Sequence, residues 1–192
     1  MNSFVNATAH GFDFFCCYVT ICLILRRNQM QSRDCLDVII EITPEVEGVK
    51  YEYDKDHDCL RVDRFLSMPI MRYPLPYGFA PKTLSDDGDP LDVMVIVPYP
   101  ILPGVRMHVQ PIGALIMEDE SGQDEKILAV PKNSGGISAL DDVSSELLNN
   151  IRYFFEHYKD LDEKRWVKVD RWVGIDDATD LIEQAISRYQ ES

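Results

Sequence analysis

Apolar and polar positions follow two rhythms along this chain. In its middle, Asp37 to Ile42 (DVIIEI), Val49 to Asp54 (VKYEYD) and Leu60 to Phe65 (LRVDRF) either alternate or run apolar. Leu91 to Val97, Val105 to Met117 and Lys126 to Val130 continue the series. A period of two, or a short apolar run bounded by turn residues, predicts β-strands. Pro44 and Gly48 separate the first two segments, and Pro74, Pro76, Gly78, Gly88, Pro90, Pro98, Pro100, Pro103 and Gly104 punctuate the later gaps. Short strands at this hairpin-like spacing predict a small barrel or sandwich.

The C-terminal third changes period. From Asp142 through His157, Val143, Leu147, Leu148, Ile151, Phe154 and Phe155 recur at steps of three and four, predicting an amphipathic helix. A strand-like stretch, Arg165 to Val173, leads to a final helix over about Asp177 to Tyr189, with Asp176 or Asp177 as N-cap. No internal repeat, low-complexity tract or interdomain linker interrupts this order. One α+β domain over residues 35–192 is the prediction.

Residues 1–34 do not share either rhythm. Phe12 to Leu25 reads FDFFCCYVTICLIL, ahead of Arg26 and Arg27. As a helix these positions span about 21 Å, short of the roughly 30 Å hydrocarbon core. Asp13 interrupts the run, no basic residue precedes it, and Asn28 to Ser32 offers no convincing cleavage site. A weak membrane anchor, a packed extension and read-through from a start upstream of Met30 all fit, and the last is favoured. The functional reading therefore rests on 35–192, for which no membrane partner is expected.

Charge narrows the partners. The 192 residues carry 19 Lys+Arg against 33 Asp+Glu, a net charge of −14. Removing Arg26, Arg27, Arg33, Asp13 and Asp34 leaves 16 basic and 31 acidic residues on 35–192, a net of −15. Such a surface repels a nucleic-acid backbone and attracts divalent cations. The 5 cysteines are odd in number and form no CxxC or Cys/His cluster, which argues against a disulfide framework or a zinc site.

The densest candidate chemistry is Asp87-Gly88-Asp89-Pro90-Leu91-Asp92. Gly88 permits a tight turn that aims Asp87 and Asp89 to one side, and Pro90 fixes the chain before Asp92 enters a strand. Three carboxylates this close repel one another unless cations intervene, and oxygen ligands without His or Cys suit Mg²⁺, Mn²⁺ or Ca²⁺. An EF-hand does not fit, because its Gly and terminal Glu positions hold Asp92 and Pro98. Alone, the string is more often a solvated acidic turn. Asp119, Glu120 and Asp124 supply a second acidic turn, followed by Lys126. Two such turns at strand ends of a small barrel can face each other and hold several metals. Lys50 and Glu52 share a strand face with Glu41 on the strand expected beside it, and Arg64 follows Asp63. Tyr73 and Tyr77 lie in YPLPYGF, and Tyr158 and Lys159 close the first helix. Each alone is ordinary, as surface ion pair, core tyrosine or helix-dipole lysine. Together they describe a pocket for a small, highly charged phosphate compound.

The string DGDPLDV resembles the D-x-D-P-x-D signature of the family I soluble inorganic pyrophosphatases. Further segments resemble that family in the same order: IEI with Glu41, KYE at Lys50 to Glu52, VDRF with Arg64, YPLPYGF, DESGQDEK at Asp119 to Lys126, and FFEHYKDL at Phe154 to Leu161. The resemblance runs from about Asp37 to Trp172. It implies a five-stranded OB-like β-barrel with two helices alongside, and a hydrolase that splits pyrophosphate into two phosphates. It also implies several Mg²⁺ ions per site, with Mn²⁺ as a substitute, and a cytoplasmic homo-oligomer, usually a hexamer. By motif, Asp87, Asp92, Asp119 and Asp124 would ligate metal and Asp89 would be the general base. Lys50, Arg64, Tyr77, Lys126, Tyr158 and Lys159 would hold phosphate. Glu41, Glu52, Tyr73 and Glu120 would support the site, and His157 would lie at a subunit contact.

Three departures accompany the resemblance. The loop LSMPIMR between Arg64 and Tyr73 is one residue longer than the family's usual form, Pro76 precedes the second tyrosine, and Arg165 stands where Lys is expected. By the resemblance, metals on Asp87, Asp92 and Asp124 would make a water more acidic, Asp89 would take its proton, and cations would neutralise the phosphoryl oxygens. A magnesium-dependent nucleotide or sugar-phosphate hydrolase would use similar ligands. In a haloacid-dehalogenase-type phosphatase the DxD follows its strand, whereas here the strand follows it. A noncatalytic metal-stabilised barrel would need none of the Lys, Arg and Tyr donors.

Overall fold

In the computed structural model, which describes residues 35–46, 48–65, 71–132 and 135–192, seven strands precede a helix, an eighth strand and a second helix. Residues 1–34, with the expected extension, and Leu66–Ile70 of the longer loop lie outside the described residues. The strands are β1 (Leu36–Ile42), β2 (Val49–Asp54), β3 (Cys59–Phe65), β4 (Tyr77–Phe79), β5 (Asp92–Val95), β6 (Arg106–Asp119), β7 (Gly122–Pro131) and β8 (Val167–Val173). The helices are α1 (Ser145–His157), after a 3₁₀ turn at Leu140–Asp142, and α2 (Ile175–Glu191).

Five strands close on themselves in the order β1-β4-β5-β7-β6, with β6 returning to β1, and β8 adds to β6 outside the ring. The α+β class, the closure of five strands and the two flanking helices agree with the architecture expected. Hairpin succession accounts for less of it than the spacing suggested. β5 and β7 are parallel, β1 pairs with β4 and β6, and β2 with β3 forms a separate two-stranded sheet. Glu41 is therefore not on a strand paired with that of Lys50 and Glu52. It is tied to their strand instead by accepting the Tyr53 backbone N–H.

Alternation divides the core. Val93, Val95, Ile127 and Ala129 point to one face and pack with Ala178, Ile182 and Ala185 of α2. Met94, Leu128 and Val130 point to the other and pack with Ile151, Phe154 and Phe155 of α1. Because Asp92 shares parity with Met94, and Asp124 and Lys126 share it with Leu128, these polar residues continue the α1 face beyond its apolar end. The cavity described next sits there.

Element boundaries moved where side chains, not periodicity, set them. β4 lies in a segment expected to be a loop, since three residues are too few to show a period. β7 begins at Gly122 rather than Lys126, because its acidic start pairs with Met117–Asp119 of β6. Ser144 caps α1, its Oγ accepting the Leu147 N–H at 3.2 Å, so the helix starts at Ser145 rather than at the expected Asp142. α2 is capped by Gly174 without a side-chain bond, and Asp176 and Asp177 lie in its first turn. There they still meet the positive end of the helix dipole.

Candidate active site

A cavity of about 280 Å³ opens beside the α1 face of the ring. Each polar wall has a local cause. In β1 the pairing with β4 slips between Ile40 and Ile42, so Glu41 bulges out of the ladder. Its Oε1 accepts the Tyr53 N–H at 2.7 Å, tying β1 to β2. Burial, opposed by that bond, pushes the Glu41 carboxyl up to about 7. In the β2–β3 hairpin Lys50 stands opposite Arg64, and a slip beside Lys50 lets Asp63 reach both cations, at 3.3 and 2.8 Å. Gly78 makes room for the phenol side of the wall. A Cβ there would lie 1.9 Å from the Ile39 carbonyl oxygen, so only glycine lets β4 approach β1 and set Tyr77 in place.

The loop between β4 and β5 is folded by its own polar groups. Thr83 Oγ1 donates to the Ala80 carbonyl at 2.6 Å and accepts the Leu91 N–H at 2.9 Å, pinning the two ends together. Gly88, at φ +91°, makes the turn between them. Asp87 Oδ1 accepts the Asp89 N–H at 3.0 Å. Burial raises the Asp87 carboxyl above the usual carboxylate range. Among the described residues the Asp89 carboxylate has no hydrogen-bond or ion-pair partner.

The second acidic group closes the cavity from the β6–β7 turn. Lys159 Nζ binds Asp119 Oδ2 at 2.8 Å and both oxygens of Glu120 at 3.1 and 3.2 Å. Desolvation pushes both carboxyls up, but Lys159 and the backbone N–H groups of Ser121 and Trp166 outweigh it and hold them below their usual values. Lys126 Nζ lies between Asp92, at 2.5 Å, and Asp124. Burial alone would lower this ammonium and raise Asp124. The two carboxylates win for Lys126, which is raised well above the usual lysine value, whereas burial wins for Asp124. Tyr73, Tyr77, Phe154 and Tyr158 form the aromatic wall, with ring centroids 5.0 Å apart for Tyr73–Tyr77 and 4.7 Å for Tyr73–Phe154. Burial pushes all three phenols far up, so they remain O–H donors at neutral pH.

Every residue singled out in the sequence as a site candidate lines this one cavity, and the two acidic groups share it. Tyr53, Lys55, Ser121 and Arg165 also line it without having been candidates. Arg165, 3.8 Å from Glu120 and 3.4 Å from Asp162, was visible only as an Arg where Lys was expected. Tyr53 acts through its backbone N–H, which no side-chain pattern signals.

The donor set suits a hard cation. Eight carboxylates (Glu41, Glu52, Asp87, Asp89, Asp92, Asp119, Glu120 and Asp124) face six cationic side chains (Lys50, Lys55, Arg64, Lys126, Lys159 and Arg165). Among the described residues no three His, Cys, Asp or Glu side chains converge on a point that could hold a metal. The Lys126 ammonium takes the place between Asp92 and Asp124 instead, which marks that spot as one where positive charge is favoured.

Comparison with known proteins agrees with this geometry. The family model described as inorganic pyrophosphatase matches residues 38–190. An inorganic pyrophosphatase of Bradyrhizobium diazoefficiens is 51% identical over 161 residues, covering 81% of this chain and 90% of that protein. One from Xylella fastidiosa is 48% identical over 162 residues, covering 82% and 90%. The solved inorganic pyrophosphatase of Coxiella burnetii superposes with a TM-score of 0.79 at 48% identity, covering 83% of this chain and 97% of that one. That of Thermus thermophilus superposes at 0.77 with 40% identity, covering 82% and 92%.

Proposed function

Since the chain belongs to the inorganic pyrophosphatase family and hydrolyses pyrophosphate, we propose that it does so in the acidic cavity with Mg²⁺ held by the carboxylates. The observation that carries this reading is the convergence of two acidic turns and six Lys or Arg side chains, drawn from Lys50 to Arg165 of the sequence, on one cavity. Asp87, Asp92, Asp119 and Asp124 would hold the ions, with Mn²⁺ as a substitute. Bound there, they would supply Lewis-acid neutralisation of phosphoryl oxygens and make a nearby water more acidic.

The chain's own groups do the rest. Lys50, Arg64 and Lys159 offer N–H donors to phosphate oxygens, and Arg64 can do so with two parallel bonds. Tyr77 and Tyr158, kept protonated by burial, donate O–H bonds, while Tyr73 packs behind them. Lys126 holds Asp92 and Asp124 together, and its ammonium would add positive charge beside a bound phosphate. Asp89, whose carboxylate has no hydrogen-bond or ion-pair partner among the described residues, accepts the proton of the attacking water. The water oxygen bonds to one phosphorus, the bridging P–O bond breaks, and its electron pair leaves with the second phosphate. Glu41 ties β1 to β2, Glu120 holds Lys159, and Glu52 would support them from the cavity wall.

Phosphate release from pyrophosphate, measured with Mg²⁺ and with EDTA, tests the reading. We expect turnover only with the metal, and equal rates in EDTA would overturn it. We further place 35–192 in the cytoplasm as a homohexamer with Tyr153 and His157 of α1 at a subunit contact. Tyr153 is 61% exposed, and its ring lies 4.3 Å from that of His157. A monomeric mass by light scattering would reject that assembly. Among the described residues no helix is long and apolar enough to cross a membrane.

A further inference from the structure

The acidic loop is gripped from behind by α2, through contacts that take no part in the chemistry above. Leu84 is bonded to the helix at both its peptide groups. Its N–H donates to the Ala185 carbonyl at 2.9 Å, and its carbonyl accepts from Arg188 Nη1 at 3.0 Å. The other terminal nitrogen, Arg188 Nη2, pairs with Asp86 Oδ1 at 2.9 Å. Beyond Asp86 the chain enters the turn that carries Asp87 and Asp89, closed by Ser85 N–H to the Asp89 carbonyl at 2.7 Å and Gly88 N–H to the Ser85 carbonyl at 3.2 Å.

The same cation acts on the other acidic group. Glu125 lies between Asp124 and Lys126, and alternation turns it to the α2 face of β7, where Arg188 offsets part of its cost of burial. One guanidinium thus meets the sequence neighbours of both acidic groups from outside the cavity.

We propose that Arg188 is a positioning residue, which by clamping Leu84 and Asp86 fixes where the Asp87–Asp89 turn presents its carboxylates, and so sets metal affinity and turnover. The proposal rests on the assignment of that turn to the active site. A planar guanidinium suits the task because it aims separate donors at two fixed acceptors, which an ammonium on a flexible stem does less well. Displacement of a reacting group by about 1 Å, caused from a distance, can cost on the order of 100-fold in rate.

The test compares Arg188→Met, Arg188→Lys and Asp86→Asn in the full chain, with Asp89→Asn as the reference for the site itself. Each is assayed for kcat, pyrophosphate KM, the Mg²⁺ concentration giving half the maximal rate, and thermal melting. Arg188→Met is expected to lower kcat roughly tenfold and to raise the Mg²⁺ requirement several-fold. Pyrophosphate KM should stay within about twofold, and Arg188→Lys should recover part of the loss. Arg188→Met that melts lower yet keeps the parent kcat and Mg²⁺ requirement overturns the proposal, as does a rise confined to KM. Should Arg188→Met fail to fold, Asp86→Asn decides by the same criteria, because it leaves the bond to Leu84 intact. Full activity in Asp89→Asn overturns the site assignment and the clamp with it. An inactive Asp89→Asn beside kinetically normal Arg188 variants overturns the clamp alone.

Discussion

Asp89 is the residue whose isolation says most about its use. Its neighbours Asp87 and Asp92 are engaged, by a backbone N–H and by Lys126, whereas among the described residues its own carboxylate has no hydrogen-bond or ion-pair partner. Asp89→Asn should therefore keep Mg²⁺ binding and lose about 10²–10⁴ in kcat, read from steady-state phosphate release and metal titration. Glu41 gives a prediction of opposite character. Its carboxyl titrates near 7 when folded, against 4.5 as the ordinary value. The folded state therefore holds this proton more tightly. Its contribution is present below about 4.5, and stability declines as pH rises through 7. Glu41→Gln keeps an acceptor for the Tyr53 N–H without the charge. In EDTA it should be more stable than the parent by roughly 2–3 kcal/mol at pH 8, with the gap closing toward pH 4.5. Urea unfolding at a series of pH values checks this, and a gap independent of pH would refute it.

Among the elements, β4 is the shortest and the least replaceable. Its Gly78 faces backbone rather than a movable side chain, so Gly78→Ala must part β4 from β1. A loss of at least about 3 kcal/mol in urea, with Tyr77 displaced, is the expected result. That strand also marks the limit of what periodicity reveals. β1, β5 and the middle of β6 were legible because burial on both faces writes a run of Val, Ile and Leu. β4 and the acidic start of β7 were not, since pairing partners far away in the chain decide them. The site was legible for a different reason. Asp87, Asp89, Asp92, Asp119 and Asp124 were recognisable in order and spacing, through family resemblance. The bulge that turns Glu41 inward and the guanidinium of Arg188 behind the loop leave no local mark, because each is defined only by what the fold sets against it.

Taken whole, the molecule gathers much of its acidity in one place. Residues 35–192 carry a net −15, and the cavity holds two more carboxylates than cationic side chains. A divalent cation binding only the folded form adds RT ln(1 + [L]/Kd), about 2.7 kcal/mol at a hundred times Kd. Mg²⁺ should thus raise the melting temperature, EDTA should reverse the shift, and NaCl at equal ionic strength should reproduce little of it. Identical melts in Mg²⁺ and NaCl would show that general screening, not a built site, is at work.

The closure of the ring has a consequence for how the chain is born. Leu36 pairs with Val109, and Ile40 shares its cluster with Ile182 of α2. At ribosomal speeds of 5–20 residues per second, β1 emerges roughly 4–15 s before its β6 partner exists. Until then the nascent protein has only β4 to cover Ile39 and Ile40, and Val38 stays a sticky position without its cross-strand partner.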